Sequence, residues 1–149
     1  MKSINKYQLQ QELKNELRTR KPEGDKFIIS EDFITIEYQE HHAWIFVDWK
    51  GRQTEQSIKK GCEKLLETSE IFHCSKILSD NTHTSGVWTT ASAWVGNNWF
   101  PRIKKSGVKF FAWVYSSEPI NWLSELIQNK EVGEIVQTFE DLESARKMA

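Results

Sequence analysis

The densest group of side chains able to do chemistry lies just after a short apolar segment, Ile77 and Leu78. It offers a carboxylate, an amide, hydroxyls and an imidazole, carried by Asp80, Asn81, Thr82, His83, Thr84 and Ser85. In open α/β sheets, ligands bind beyond the carboxyl ends of strands, where the N-termini of helices point. We therefore expect this segment, with Trp88 at its end, to contact a partner or a ligand.

The same residues also have a purely structural interpretation. The first N–H groups of a helix need acceptors, which Thr82, Thr84 or Ser85 could supply as caps. Asp80 and Asn81 commonly form turns by bonding to nearby backbone. Both interpretations remain open from the sequence.

No histidine pattern predicts a metal site. His41 and His42 are adjacent in a predicted turn, and His73 and His83 are single, so no two lie at the spacing that places ligands on one helical face. We interpret them as exposed histidines and predict no metal and no cofactor.

Signs of nucleophilic catalysis are also missing, since there is no Gly-x-Ser-x-Gly turn. Asp48 ends a predicted strand, and we interpret it as pairing with Lys50, Arg52 or solvent. The sequence therefore predicts a protein that is not an enzyme.

Length and composition indicate one globular domain. The chain has 149 residues, 38% of them hydrophobic, and a net charge of -1, so no global field favours nucleic acid. The start lacks the apolar core of a signal peptide, and apolar runs such as residues 43–47 are too short to cross a bilayer. We expect a cytoplasmic protein without membrane insertion.

The first segment, residues 1–25, is predicted to be an amphipathic helix followed by a linker. Leu9, Leu13 and Leu17 form a narrow apolar seam at four-residue spacing, and Pro22 with Gly24 ends the helix. Such a seam suits docking on the domain or on a second copy, so we expect a homodimer.

The remainder, residues 26–149, is predicted to be a single α/β domain. The sequence predicts a hairpin of two strands, "FITIEYQE" and "AWIFVDWK", joined by "QEHH". After the hairpin, helices alternate with three further predicted strands, "SKIL", "VKFFAWVYS" and "EIVQTF". This order calls for a mixed, mostly parallel sheet of about five strands, with helices packed on it.

Three details of the helices are predicted. Thr54 caps a helix whose inner face carries Ile58, Cys62, Leu65, Leu66 and Ser69. An aromatic helix follows the polar segment, and we expect it to end or bend at Phe100 because Pro101 disfavours the α conformation before it. Another helix begins near Pro119.

The order of elements resembles the STAS domain, especially its SpoIIAA-like branch. Members often end in a Phe-acidic-acidic-Leu-acidic-x-Ala pattern, and the connection "DWKGR" is similar to the one after their second strand. The matching residues here are Phe139, Glu140, Asp141, Leu142, Glu143 and Ala145.

The resemblance implies a regulatory protein-interaction module that contacts its partner through the loop after the third strand. In related anti-sigma-factor antagonists, a serine of an Asp-Ser-Ser-Gly motif is phosphorylated. Ser85 and Gly86 take the matching place, while His83 and Thr84 stand where Asp-Ser is expected. The resemblance thus points to Ser85 as a phosphorylation site.

An alternative function also follows from the resemblance, a carrier or sensor of a small apolar or aromatic ligand. The ligand would lie against the aromatic helix, near Trp88, Trp94 and Trp99. A dense core is the other interpretation of these tryptophans.

Overall fold

The computed structural model describes residues 26–86, 89–115 and 126–148. The predicted N-terminal helix with its leucine seam lies outside these ranges, as do Trp88 and the predicted helix start at Pro119. Within the described residues, no helix combines the length and apolar character needed to cross a membrane.

A six-stranded sheet is the centre of the fold. In spatial order its strands are β1 (Lys26–Glu31), β2 (Ile34–Gln39), β3 (Trp44–Trp49), β5 (Lys76–Asp80), β7 (Phe110–Val114) and β8 (Val136–Phe139). The first three strands pair antiparallel, and the contacts from β3 onward are parallel. The predicted mixed, mostly parallel α/β sheet with its initial hairpin is confirmed.

The number of strands differs from the prediction of about five. The additional strand, β1, joins β2 through a turn at Asp32 and Phe33. Phe27, Ile28 and Ile29 form an unbroken apolar run, so the alternation that marks a half-buried strand is absent there. A separate parallel pair, β4 (Gly51–Gln53) with β6 (Thr84–Gly86), was also not predicted.

The first described helix, α1 (Glu55–Phe72), begins as predicted at Thr54. The backbone N–H of Ser57 donates to Oγ1 of Thr54 at 3.1 Å, and the Thr54 N–H donates to Oγ of Ser57 at 2.9 Å. These reciprocal bonds satisfy donors that the first helical turn leaves free. The predicted inner face is buried throughout: Ile58, Cys62, Leu65, Leu66 and Ser69.

The aromatic helix does not end at Phe100, which was one of the two outcomes predicted there, while a bend at this residue stays a prediction. Helical structure runs without interruption from α2 (Thr89–Trp94) through a π-helical turn (Val95–Trp99) into α3 (Phe100–Lys105). The N–H of Phe100 donates to the carbonyl of Val95, five residues back. A π turn is wider than an α turn, and we infer that it accommodates the proline ring that would clash with the carbonyl four residues earlier.

The two faces of the sheet bury different clusters. The larger core contains Trp49, Trp99 and Trp113 and lies beneath α1 and the α2–α3 segment. The opposite face packs Trp44, Leu78 and Phe139 against Ala145 of the last helix, α5 (Leu142–Met148). A short helix, α4 (Lys130–Gly133), precedes β8. Cys62 and Cys74 are both buried and free, so the prediction that Cys62 is a core residue is confirmed.

Candidate functional site

The polar segment begins inside the sheet. Strand β5 extends beyond the predicted "SKIL" through Ser79 to Asp80, and Asp80 is in register with Asp48 of β3 and with Val114 of β7. Neighbours in register on parallel strands present their side chains on one face. Two carboxylates therefore meet at the carboxyl edge of the sheet.

The Asp80 side chain is nearly buried and organises the turn that follows it. Its Oδ1 accepts the Thr82 backbone N–H at 3.0 Å and the Thr82 hydroxyl at 2.7 Å. Only 5% of this side chain is exposed. The expected turn at Asp80 is confirmed, and its carboxylate is held in one orientation.

Further hydrogen bonds hold the rest of the loop against the sheet. The Asn81 N–H donates to the Val114 carbonyl at 2.9 Å, and the Thr84 hydroxyl donates to the Asn81 carbonyl at 2.8 Å. Thr82 and Thr84 thus stabilise the loop, and Thr84 is itself the first residue of β6. Their predicted role as helix caps is wrong, because their hydroxyls bond within the loop and α2 is described only from Thr89 onward.

A small second sheet fixes the outer end of the loop. The N–H of Gly51 donates to the carbonyl of His83 at 3.0 Å, and Arg52 is in register with Ser85. On the other side, Nε2 of the buried Gln53 donates to the carbonyls of Phe33 and Lys50 at 3.1 and 2.9 Å. The loop is therefore attached both to β5 and to the connection after β3.

His83 projects from this fixed backbone toward the two carboxylates. Its Nδ1 lies 3.0 Å from Oδ1 of Asp48 and 3.8 Å from Oδ2 of Asp80, while 63% of the side chain stays exposed. The hydrogen bond with Asp48 raises the pKa of His83, and partial burial opposes the rise. The charges of Asp48 and Asp80 raise the pKa further.

The interpretation of Asp48 as a partner of Lys50 or Arg52 is therefore wrong, whereas its contact with solvent is retained, since 26% of its side chain is exposed. Its carboxylate instead bonds to a histidine 35 residues later in the chain. Spacing along the sequence does not show such a contact. One signal was present, since Asp48 lies at the end of one predicted strand and Asp80 two residues after another, and the carboxyl ends of such strands meet at one edge.

Ser85 lies on β6, beside Arg52 of β4. The aromatic candidates are dispersed: Trp94 is half-buried, with Lys59 and Arg102 at 5.6 and 5.8 Å from its ring. Trp99 is 1% exposed, and its indole N–H donates to the Cys62 carbonyl at 2.7 Å. The two described indoles thus occupy different environments, and an apolar ligand beside them remains a prediction.

The basic residues near α3 are engaged in ion pairs. Both terminal nitrogens of Arg102 donate to the carboxylate of Glu63, Nη1 to Oε2 at 3.0 Å and Nη2 to Oε1. Lys104 contacts Glu131 at 3.0 Å and also Glu134. These contacts partly neutralise the positive charge of the cluster within the chain.

Comparisons with known proteins give a similarity at the level of structure. No family model matches the chain, and no curated protein matches it. Among solved structures, the phosphorylated form of SpoIIAA, a Bacillus cell fate determinant, is similar with 8% identity and a TM-score of 0.48. The alignment covers 83% of this chain and 99% of that chain.

Proposed function

We propose that this chain is a regulatory protein-interaction module that contacts its partner through residues 80–86 and β4, here called the loop surface. The observation that supports the proposal is the fixed backbone beneath exposed side chains. Asp80, Thr82 and Thr84 direct their hydrogen bonds inward, while His83 and Arg52 remain exposed. A surface ordered before binding loses little conformational entropy in the complex.

The position of the loop surface also favours binding. It lies at the carboxyl edge of the sheet, where open α/β folds bind their ligands, on a loop carried by a rigid scaffold. The hydroxyls of Thr82 and Thr84 and the backbone N–H of Asn81 are occupied by structural bonds. This arrangement suits recognition of a partner better than chemistry on a substrate.

Ser85 is the proposed phosphorylation switch of this surface. Its register partner is Arg52, and an arginine beside a phosphoserine forms strong charge-assisted hydrogen bonds. Asp48 and Asp80 add negative charge nearby, so a phosphoryl group would change the charge of the surface that the partner meets. Intact mass measurement and fragmentation of the protein purified from its own host test whether Ser85 carries this group.

The contact proposal is tested by capture of partners with matched charge reversals. Arg52→Glu alters the loop surface, whereas Lys105→Glu makes the same charge change on an exposed residue at the end of α3, near the opposite edge of the sheet. We expect the wild type and Lys105→Glu to retain the same partner from host extract and Arg52→Glu to lose it. Loss of a central contact costs more than about 1 kcal/mol, or roughly fivefold in affinity.

Equal retention by both variants would overturn the loop surface as the contact. A cross-check replaces His83 and His41 separately by alanine, since His41 is an exposed histidine that precedes the other end of β3. The partner should then depend on His83 and not on His41.

A further inference from the structure

We propose that Asp48, Asp80 and His83 form a binding site for one divalent transition-metal ion, best suited to Zn²⁺. The three side chains come from the ends of two adjacent parallel strands and from the loop that follows the second strand. One ligand atom from each lies within 4.8 Å of the others. The site rests on these contacts and does not depend on the proposed protein partner.

Two of the three separations between donor atoms fit a shared ion, and the third is at most 4.8 Å. Bonds from Zn²⁺ to histidine nitrogen and carboxylate oxygen are about 2.0–2.2 Å long, so two donors on one ion lie at most about 4.4 Å apart. Nδ1 of His83 lies 3.0 Å from Oδ1 of Asp48 and 3.8 Å from Oδ2 of Asp80. Small side-chain rotations would place all three donors around one centre.

The second oxygen of Asp80 is the observation that points to a ligand. Oδ1 of this carboxylate is engaged by the backbone N–H and the hydroxyl of Thr82, whereas the contact that Oδ2 makes is with Nδ1 of His83 at 3.8 Å. Only 5% of the Asp80 side chain is exposed. A carboxylate that is so little exposed is costly unless its charge is paired, and a metal ion would pair with it through Oδ2.

Charge leads to the same conclusion. Two carboxylates converge here, and among the described residues neither has a lysine or arginine within ion-pair distance; His83 alone is close. A divalent ion would balance both charges and release the proton that His83 otherwise shares with Asp48. The bonds from Thr82 would keep Asp80 oriented toward the ion, as outer contacts do in metal sites.

The donor set selects the class of ion. Imidazole nitrogen suits Zn²⁺ and similar transition metals, whereas Mg²⁺ and Ca²⁺ prefer oxygen donors alone. Three protein ligands leave a fourth tetrahedral position for water or for a group of a bound molecule.

The test is a calorimetric titration of the tag-free full chain, stripped with chelator, with Zn²⁺. We expect one ion per chain and at least tenfold weaker binding in Asp48→Asn, Asp80→Asn and His83→Gln, a loss in the range that even outer contacts produce. Asp32→Asn is the matched control, because Asp32 is an exposed turn residue outside the cluster. It should bind Zn²⁺ like the wild type.

Circular dichroism establishes that each variant folds. If Asp80→Asn does not fold, the exposed His83 decides the question, because its replacement leaves the core unchanged. Failure of the wild type to bind micromolar Zn²⁺, or equal binding by His83→Gln and the wild type, would overturn the site. Partner capture does not enter this measurement, so its failure and that of the proposed function are separate results.

Discussion

Asp48 and Asp80 occupy the same register position at the ends of two adjacent parallel strands, β3 and β5. They differ in their surroundings, since 26% of the Asp48 side chain is exposed and only 5% of the Asp80 side chain. Oδ1 of Asp80 accepts the backbone N–H of Thr82 in the turn, while Oδ1 of Asp48 is hydrogen-bonded to Nδ1 of His83. The carboxylate of Asp80 thus stabilises the loop, and that of Asp48 orients the exposed His83 side chain.

This division of roles predicts different effects of two substitutions at Asp80. Asp80→Ala removes the acceptor of both Thr82 hydrogen bonds, and we expect a loss of about 1–3 kcal/mol in the free energy of unfolding without metal. Asp80→Asn retains an amide oxygen for Thr82 and should cost clearly less. Urea denaturation compares the two, and equal losses would contradict the role of Asp80 in the turn.

The sequence was sufficient to predict much of the fold because its signals are local. Thr54 followed by the stripe from Ile58 to Ser69 predicts both the start and the buried face of α1, and the structure confirms both. The alternation of helices and strands likewise gives the mostly parallel sheet. These features depend on residues close together in the chain.

The wrong predictions concern residues whose local conformational preference is outweighed by the structure around them. Pro101 opposes a helix locally, yet the π turn before it lets the helix continue. The sequence predicts Thr84 as a possible helix cap, but the pairing of β6 with β4 makes it part of a strand. The contact between Asp48 and His83 depends on which strands become neighbours, and no spacing rule contains that information.

A second prediction concerns Trp99, which joins α1 to the π turn. Its indole N–H donates to the carbonyl of Cys62 at 2.7 Å, and its ring packs edge-on against Phe111. Trp99→Phe removes the donor and leaves a small void, so we expect a loss of about 2–3 kcal/mol in the free energy of unfolding. Trp94→Phe is the control at a half-buried position and should cost less than about 1 kcal/mol.

The tryptophan variants also address the alternative carrier function. A ligand bound near both rings would change the fluorescence of both indoles. Trp94→Phe and Trp99→Phe should then each reduce the change in fluorescence that the ligand produces. If Trp99→Phe proves as stable as Trp94→Phe in urea, the assignment of Trp99 to the core is wrong.

A third prediction concerns the approach of Trp49 to α1 at Gly61. A Cβ atom at position 61 would lie 2.5 Å from Cη2 of Trp49, well inside contact distance. Gly61→Ala should therefore destabilise the protein by about 1–3 kcal/mol, although alanine favours a helix by about 1 kcal/mol over glycine. Gln56→Ala, on the exposed side of the same helix, should change the stability little. Denaturation midpoints decide, and a more stable Gly61→Ala would contradict this packing.

The last prediction is a pH dependence that originates at α5. Oδ1 of Asp141 accepts the N–H of Ser144 at 2.7 Å at the start of this helix, and the bond lowers the pKa of Asp141 in the folded state. The folded pKa is below the unfolded value of about 3.9. The stabilisation is thus present above that unfolded value and is lost as the pH falls through the folded pKa.

Asp141→Asn separates this effect from general acid unfolding. Asparagine caps a helix about as well as aspartate but does not titrate in this range. We expect the wild type to be the more stable protein at about pH 6 and to lose that advantage toward about pH 3. Because α5 holds Ala145 against Phe139, the change should appear in cooperative urea unfolding. An advantage that stays constant between these pH values would show that the cap does not depend on the charge of Asp141.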